Sequence, residues 1–217
     1  MSWAIMIFPD NEQTRIQAAE IIQRGGLIAF RTDTFYGLGA DPLNHVAIAK
    51  IRLLKGREES KPILVLIADA RDVVRFVSHR TTSFDRIAER YWPGPLTLVG
   101  KARPELPGEL TAGTGAIGVR LPNDPTVRTL IRICGGSLTG TSANLSGQPP
   151  ARSAQDVDAY FPMGIDLILD SGEVAVTEAS TVLDLSGQEP VLIREGAIGR
   201  AELQKTLGDL GILRSLG

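Results

Sequence analysis

The residues of this chain that could carry chemistry are mainly cations, hydroxyls and amides, and they fall into four short clusters. The first runs from Arg31 to Gly39 and combines Thr32 and Thr34 with Gly37, directly after an apolar run. Small hydroxyls at a strand end, followed by glycines that let the backbone approach closely, suit a small polar ligand. A plain strand–turn–helix junction would explain the same residues equally well.

The second cluster contains two cations, Lys55 and Arg57, separated by one glycine at the predicted end of a helix. Cations are favoured at helix C-termini by the helix dipole, so a solvated helix end is one interpretation. A phosphate clamp is the other, because lysine offers a point charge and arginine a planar fork for oxyanions.

The third cluster is rich in hydroxyls and amides and includes Thr141, Ser142 and Asn144 after a short predicted strand. Such a loop can donate hydrogen bonds to phosphate or sugar oxygens. A capped turn, in which serine and asparagine bond their own backbone, is the alternative.

The fourth cluster places Ser180 at the start of one predicted strand and Arg194 at the end of the next. A solvated Arg194 is the simplest interpretation of this pair. The four clusters nevertheless share cations and hydroxyls at strand ends, without an evident nucleophile or histidine base. That combination favours phosphate chemistry performed by positioning and electrostatics.

Composition excludes several classes of protein. A single cysteine, Cys134, rules out a disulfide framework, and the two histidines show no metal-ligand spacing, so no protein metal site is expected. A net charge of −2 and 5% aromatic residues argue against a broad basic or stacking surface for nucleic acid. Without a signal peptide or a run of membrane length, we expect a cytoplasmic protein without membrane contact.

The predicted strands and helices that position these clusters do not alternate regularly along the chain. Apolar runs at 27–30, 63–68, 96–100, 116–121 and 181–185 predict strands, and helical patterns lie between several of them. Asn44 is a predicted cap for a helix through Leu54, with Val46, Ala47 and Ile51 among the inward residues. Gly113, Gly115 and Gly118 have dinucleotide-loop spacing but precede a strand, which favours a turn. We expect an α/β fold with a twisted, open, mixed β-sheet, packed helices and a concave central cleft.

Several spaced motifs resemble one known family, the YrdC-like threonylcarbamoyl-AMP synthases of the YrdC/YciO superfamily. Its hallmark of Lys-x-Arg followed far downstream by Ser-x-Asn corresponds to Lys55–Arg57 and Ser142–Asn144. The ordered motifs that also match are Thr32–Gly39, Trp92–Thr97, Gly118–Pro122 and Ser180–Thr181. The resemblance covers about 13–210, and implies a single YrdC-like domain over 1–217.

This resemblance implies a nucleotidyltransferase that condenses L-threonine, bicarbonate or carbon dioxide and ATP, with Mg²⁺, into threonylcarbamoyl-AMP and pyrophosphate. The product would serve a downstream threonylcarbamoyl transferase complex that forms N6-threonylcarbamoyladenosine in tRNA. The implied ATP-binding residues are Lys55, Arg57, Ser142, Asn144 and Arg194, with Lys55 and Arg57 also catalytic. The implied threonine-binding residues are Thr32, Arg120 and Ser180, and Thr34, Tyr36 and Thr141 are further pocket candidates.

Two features resemble the short branch of the family. The sequence given ends near residue 217, without the extra C-terminal domain of the longer members, and Leu66 stands where those members often have histidine. A YciO-type protein that binds RNA or a nucleotide without robust synthesis is the alternative function, and the Arg-Glu-Gly beginning at Arg194 leaves room for it. An assembly factor with an RNA groove is a third, weakened by the low aromatic content and the charge.

Overall fold

A computed structural model of the chain describes residues 6–56, 61–175 and 178–212. The strands in these ranges are β1 Met6–Pro9, β2 Ile28–Arg31, β3 Tyr36–Gly39, β4 Val65–Ile67, β5 Val77–His79, β6 Leu96–Ala102, β7 Ala116–Arg120, β8 Ser137–Thr139, β9 Thr141–Ser142, β10 Leu167–Asp170, β11 Thr181–Asp184 and β12 Val191–Arg194. The α-helices are α1 Glu12–Gln23, α2 His45–Lys55, α3 Thr82–Tyr91, α4 Gly108–Thr111, α5 Pro125–Ile133, α6 Ala154–Tyr160 and α7 Arg200–Asp209, with a 3-10 helix over Ala70–Arg75. None of the helices within these ranges combines the length and apolarity needed to cross a bilayer.

The strands form two mixed sheets. The five-stranded sheet has the order β1-β10-β2-β3-β9, in which β1, β10 and β2 are parallel while β3 is antiparallel to both β2 and β9. The seven-stranded sheet has the order β12-β11-β6-β7-β4-β8, with β5 paired to β6. The predicted mixed α/β fold is therefore confirmed, and its strands are divided between two sheets.

Helix α2 shows how local sequence signals set the elements near the site. Asn44 caps the helix as predicted, because its side-chain oxygen accepts a hydrogen bond from the amide of Ala47 at 3.1 Å. The helix ends at Gly56, whose φ of +55° lies in the left-handed region that glycine tolerates. The prediction that Val46 faces inward is wrong, since its side chain is 64% exposed. Ala47 and Ile51, four residues apart, are buried as predicted and define the inward face of the helix.

The pattern of residues 69–90 predicts two helices, and the structure differs from that prediction. This region contains the 3-10 helix, then β5, then α3. Strand β5 is only three residues long, too short to show an alternating pattern, and its pairing with β6 comes from tertiary structure. The turn predicted before β7 is confirmed, because Gly113 and Gly115 have φ values of +68° and +69° and lead into that strand.

The two sheets are joined where β8 passes into β9 across a single residue, Gly140. The hydroxyl of Thr139 in β8 donates to the carbonyl of Leu38 in β3 and accepts from the amide of Ala40, both at 2.9 Å. A Cβ atom on Gly140 would lie 2.5 Å from Cγ of Leu66 in β4. Close packing therefore requires glycine at this junction.

Candidate anion-binding cleft

A concave cavity of about 630 Å³ lies where the two sheets meet. Its walls come from the β2–β3 turn and β9 of the five-stranded sheet, and from strands β4, β6, β7, β11 and β12 of the seven-stranded sheet. Eight of the residues predicted from the sequence line it: Thr32, Thr34, Tyr36, Arg120, Thr141, Ser142, Ser180 and Arg194. Residues far apart in the sequence thus meet at one cleft.

Two of the predicted site residues that the structure describes are not among the lining residues. Lys55 and Asn144 are buried behind the wall that Ser142 forms, and Lys55 is only 3% exposed. Arg57 lies outside the described residues, so its role remains a prediction.

Arg120 ends β7 and is held rigidly at the cavity wall. Its Nε donates to the carbonyl of Gly94 at 3.0 Å, and Nη1 donates to the hydroxyl of Thr34 at 3.1 Å. Its Nη2 forms an ion pair with Oδ1 of Asp33 at 2.7 Å. Burial lowers the pKa of Arg120, while the charge of Asp33 acts in the opposite direction. A guanidinium has five N–H groups, so Arg120 can still donate to a ligand.

The turn between β2 and β3 is organised by the hydroxyl of Thr32. This hydroxyl donates to the carbonyl of Phe35 at 2.7 Å and accepts from the amides of Thr34 and Phe35 at 3.1 and 3.2 Å. The hydroxyls of Thr32 and Thr34 lie 3.1 Å apart. Thr32 is therefore a turn-forming residue that also presents Thr34 to Arg120.

Arg194 ends β12, an edge strand of the seven-stranded sheet, and lines the same cavity. Its Nε and Nη2 donate to the carbonyl of Ser180 at 3.0 and 2.7 Å, and Nη2 also lies 3.1 Å from the Ser180 hydroxyl. That hydroxyl is 3.0 Å from the hydroxyl of Thr97 in β6. Nη1 of Arg194 has no hydrogen-bond partner within the described ranges.

Two guanidiniums in one partly buried cleft favour the binding of an anion. Burial lowers the pKa of Arg194, and the charge of Arg194 in turn lowers the pKa of Arg120 after the larger effect of burial. Burial lowers each pKa because it penalises the charged form, and the charge of Arg194 lowers that of Arg120 by like-charge repulsion. Only Asp33 forms an ion pair with either cation in the described part of the chain, so a carboxylate or phosphate would compensate the remaining charge.

The loop that carries Ser142 bonds largely to itself. The Ser142 hydroxyl donates to Oδ1 of Asn144 at 2.6 Å, and Nδ2 of Asn144 donates to the carbonyl of Gln148. These are the contacts of the capped turn that the sequence left open. Lys55 reinforces them from behind, with its Nζ donating to the carbonyls of Ser142 and Asn144.

The remaining pocket candidates contribute differently. Tyr36 lines the cavity, but its hydroxyl points away and donates to the carbonyl of Gly172 at 2.9 Å. Burial raises the pKa of Tyr36, so its phenol stays protonated at neutral pH. Thr141 pairs with Leu38 through β9 and contributes to the wall.

Several residues of the site were not predicted from the sequence to bind a ligand. Lys61, Thr97 and Asp184 line the cavity, and Asp33 supports Arg120 from behind. Asp33 lies inside the first predicted cluster, so a carboxylate between two threonines was the available signal. Thr97 closes the motif Trp92–Thr97 that contributes to the family resemblance, whereas Asp184 occupies an ordinary strand position that nothing in the sequence distinguishes.

Fold and site together define a mixed α/β protein with a cleft built to receive anions. The chain belongs to the Sua5/YciO/YrdC family, whose model, described as "Telomere recombination", matches residues 20–196.

Curated relatives carry a common name. A protein of Pyrococcus abyssi named threonylcarbamoyl-AMP synthase is 36% identical over 195 residues, which cover 90% of this chain and 57% of the relative. A Bacillus subtilis protein of the same name is 33% identical, with 95% of this chain and 60% of the relative covered. The chain thus spans somewhat less than two thirds of the length of these two relatives.

Solved structures agree on the fold. Pyrococcus abyssi Sua5 complexed with L-threonine superposes with a TM-score of 0.88 at 32% identity, covering 99% of this chain and 66% of that one. E. coli YciO superposes with a TM-score of 0.78 at 27% identity, covering 91% of this chain and 97% of that one.

Proposed function

We propose that this chain is an L-threonylcarbamoyladenylate synthase, which condenses L-threonine, bicarbonate or carbon dioxide, and ATP into threonylcarbamoyl-AMP and pyrophosphate. The observation that carries the proposal is the convergence of Arg120 and Arg194, with the hydroxyls of Thr34 and Ser180, on one cavity. The shared name of the two relatives supports the same reaction.

The Arg120 side of the cavity is the proposed threonine site. Arg120 is a natural partner for the amino-acid carboxylate because a planar guanidinium can donate two parallel hydrogen bonds to it. Thr32, Thr34 and Ser180 surround this position with small hydroxyls. The complex of Pyrococcus abyssi Sua5 with L-threonine supports a threonine site in this fold.

The proposed ATP site lies between Arg194 and the loop of Ser142. Nη1 of Arg194 can donate to a phosphate while Nε and Nη2 stay bound to Ser180. Arg57 would supply a further cation, and Lys55 and Asn144 would support the loop of Ser142 from behind.

The proposed reaction requires the protein to position its substrates and does not require a protein nucleophile. The amine of threonine attacks carbon dioxide to give a carbamate and loses a proton to solvent. A carbamate oxygen then attacks the α-phosphorus, and the bond from that phosphorus to the α,β-bridging oxygen breaks to release pyrophosphate. Cations that hold carboxylate and phosphates bring the two reactants together and stabilise the developing charge.

Magnesium would arrive with the triphosphate and neutralise part of its charge. Asp184 is the only carboxylate among the described residues that line the cavity, so those residues offer such an ion at most one direct carboxylate ligand. The phosphates would therefore supply most of the coordination. In the cytoplasm, the product would pass to a threonylcarbamoyl transferase complex that modifies tRNA.

Pyrophosphate release from ATP tests the proposal. We expect release that requires both threonine and bicarbonate, and a fall of about 10²-fold in kcat/KM for Arg194→Gln through loss of a charge-assisted contact. Arg132→Gln is the matched control, because Arg132 lies on α5 with more than half of its side chain exposed, away from the cavity. Release that does not depend on threonine would contradict the proposed reaction.

The alternative is a YciO-type protein that binds RNA or a nucleotide without robust synthesis. It is favoured by the near-complete coverage of E. coli YciO, 97% of that chain. This function predicts no threonine-dependent pyrophosphate release, and RNA affinity that falls steeply as salt rises.

A further inference from the structure

Lys55, the last residue of α2, has its ammonium group directed at backbone oxygens of a distant loop. Nζ donates to the carbonyl of Ser142, to the carbonyl of Asn144 at 2.7 Å and to Oδ1 of Asn144 at 3.3 Å. In return, the carbonyl of Lys55 accepts from the amide of Ser146 at 3.3 Å. The end of α2 and the loop of residues 142–148 are thus bonded in both directions.

The number of N–H groups on the ammonium limits how many hydrogen bonds Lys55 can donate at once. A lysine ammonium has three N–H donors and no acceptor, and three oxygens of the loop lie within bonding distance of Nζ. A direct bond from Lys55 to a phosphate would therefore require at least one loop contact to break. A buried carbonyl that loses a charged donor is costly to leave unsatisfied.

The loop has its own internal bonds that depend on this arrangement. Oδ1 of Asn144 accepts from both Lys55 and the Ser142 hydroxyl, which orients Ser142 at the cavity wall. The amide of Gln148 donates to the carbonyl of Leu145 at 3.0 Å and closes the turn. One charge behind the wall therefore organises a neutral surface in front of it.

We infer that Lys55 is a positioning residue, which holds the loop of residues 142–148 in its cavity-facing conformation before any ligand arrives and acts on the nucleotide through Ser142. The inference rests on the proposed function for the identity of that nucleotide, but the holding of the loop does not. A loop ordered in advance spares the ligand the entropic cost of ordering it. This assigns Lys55 a different task from the direct phosphate contact expected from its sequence motif.

Amide hydrogen exchange of the ligand-free protein tests the inference. In the wild-type chain, the amides of Ser146 and Gln148 should be protected without ATP or pyrophosphate. In Lys55→Met, their exchange should accelerate by about tenfold or more, because the charged donor has been removed while the side-chain length is kept. Unchanged exchange in this variant would overturn the inference, since a residue that only binds phosphate has no effect before phosphate is added.

Lys50→Met is the matched control. Lys50 lies on the same helix and its Nζ also donates to a backbone carbonyl, that of Gly25 at 2.9 Å, away from the cavity. This variant should leave the exchange of Ser146 and Gln148 unchanged. If Lys55→Met does not fold, the wild-type measurement still decides, because loop amides that exchange as fast as in an unfolded peptide would refute a preformed loop.

Steady-state kinetics provide a second readout. Lys55→Met should raise the KM for ATP by about tenfold while the KM for threonine changes little, because the loop lies on the nucleotide side of the cavity. An equal rise in both constants would contradict a role confined to the loop. The exchange experiment stands even if the protein proves to have no synthase activity, so failure of the inference and failure of the proposed function can be distinguished.

Discussion

The two walls of the cleft use positive charge in opposite ways. On the β7 wall, the guanidinium of Arg120 itself lines the cavity, and Asp33 supports it from behind. On the β9 wall, the neutral loop of Ser142 lines the cavity, and the cation Lys55 stands behind it. Charge faces the ligand directly on one side and organises a neutral surface on the other.

This difference suggests how each wall should respond to substitution. A charge that faces the ligand contributes to both affinity and rate, and its loss cannot be repaired by neighbouring groups. A charge behind a loop acts through backbone order, so its loss should be felt before any ligand binds. Variants of the β7 wall, of Gly140 between the two sheets and of Cys134 outside the cleft can test this difference.

The largest effect is expected for Arg120→Met. We expect kcat/KM for threonine to fall by about 10²–10³-fold, because the proposed partner of the carboxylate is lost. The free energy of unfolding should fall by about 3–5 kcal/mol, because Asp33 keeps a poorly solvated charge without its partner. Denaturant unfolding and pyrophosphate release measure the two effects. Asp33→Asn added to Arg120→Met should recover part of the stability but none of the activity, and recovery of activity would contradict the comparison.

A smaller effect is expected for Asp33→Asn alone. The asparagine can still accept from the amide of Asn123, which now bonds to Oδ2 of Asp33 at 3.1 Å, but it no longer holds the guanidinium of Arg120 in position through an ion pair. We expect the KM for threonine to rise by about tenfold with the KM for ATP nearly unchanged, as measured by initial rates. A variant that weakens both substrates equally would show that the two walls are not separable.

A change at the joint between the walls should affect stability. Gly140→Ala places a Cβ too close to the buried side chain of Leu66, and overpacking of this kind costs about 1–3 kcal/mol. Thermal unfolding would measure the loss. The double variant with Leu66→Ala should be more stable than the sum of the two single effects predicts. Simple additivity would mean that the contact between residues 140 and 66 is not the source of strain.

The smallest effect concerns Cys134, which belongs to neither wall. Burial raises the pKa of its thiol to about 12, so a thiol reagent at pH 8 should react with the native protein far more slowly than with the unfolded chain. Because the native pKa lies above the unfolded value, the thiol's contribution to stability is complete below about pH 9 and is lost as pH rises through about 12. Rapid labelling of the native protein would contradict the burial, and Cys134→Ala should leave any threonine-dependent pyrophosphate release unchanged.

Sequence patterns predicted much of this molecule because local rules apply to it. The cap at Asn44, the helix end near Lys55 and the turn before β7 are short-range features, and each is confirmed. Arg194 was identifiable because it ends an apolar strand, whereas Arg120 was indicated only by the family resemblance. The family resemblance joined motifs that the patterns alone left ambiguous.

Contacts between residues far apart in the chain could not be predicted from local sequence patterns. The contact of Lys55 with Asn144 spans 89 positions, and no local pattern distinguishes a lysine that binds phosphate from one that holds a loop. The split into two sheets depends on pairing partners, which strand propensity does not specify. Val46 was placed inward because apolarity alone does not select the buried face when adjacent helix positions are both apolar.

The passage from β8 to β9 across Gly140 fixes the distance between the two sheets at one corner of the cleft. Consecutive Cα atoms are about 3.8 Å apart, so at this corner the gap between the walls is dictated by bond lengths instead of by side-chain packing. Amino-acid replacements elsewhere can reshape the floor or the rim, but they cannot pull this corner open. Substitutions in the surrounding core should therefore change the spacing of the two sheets least at this corner of the cavity.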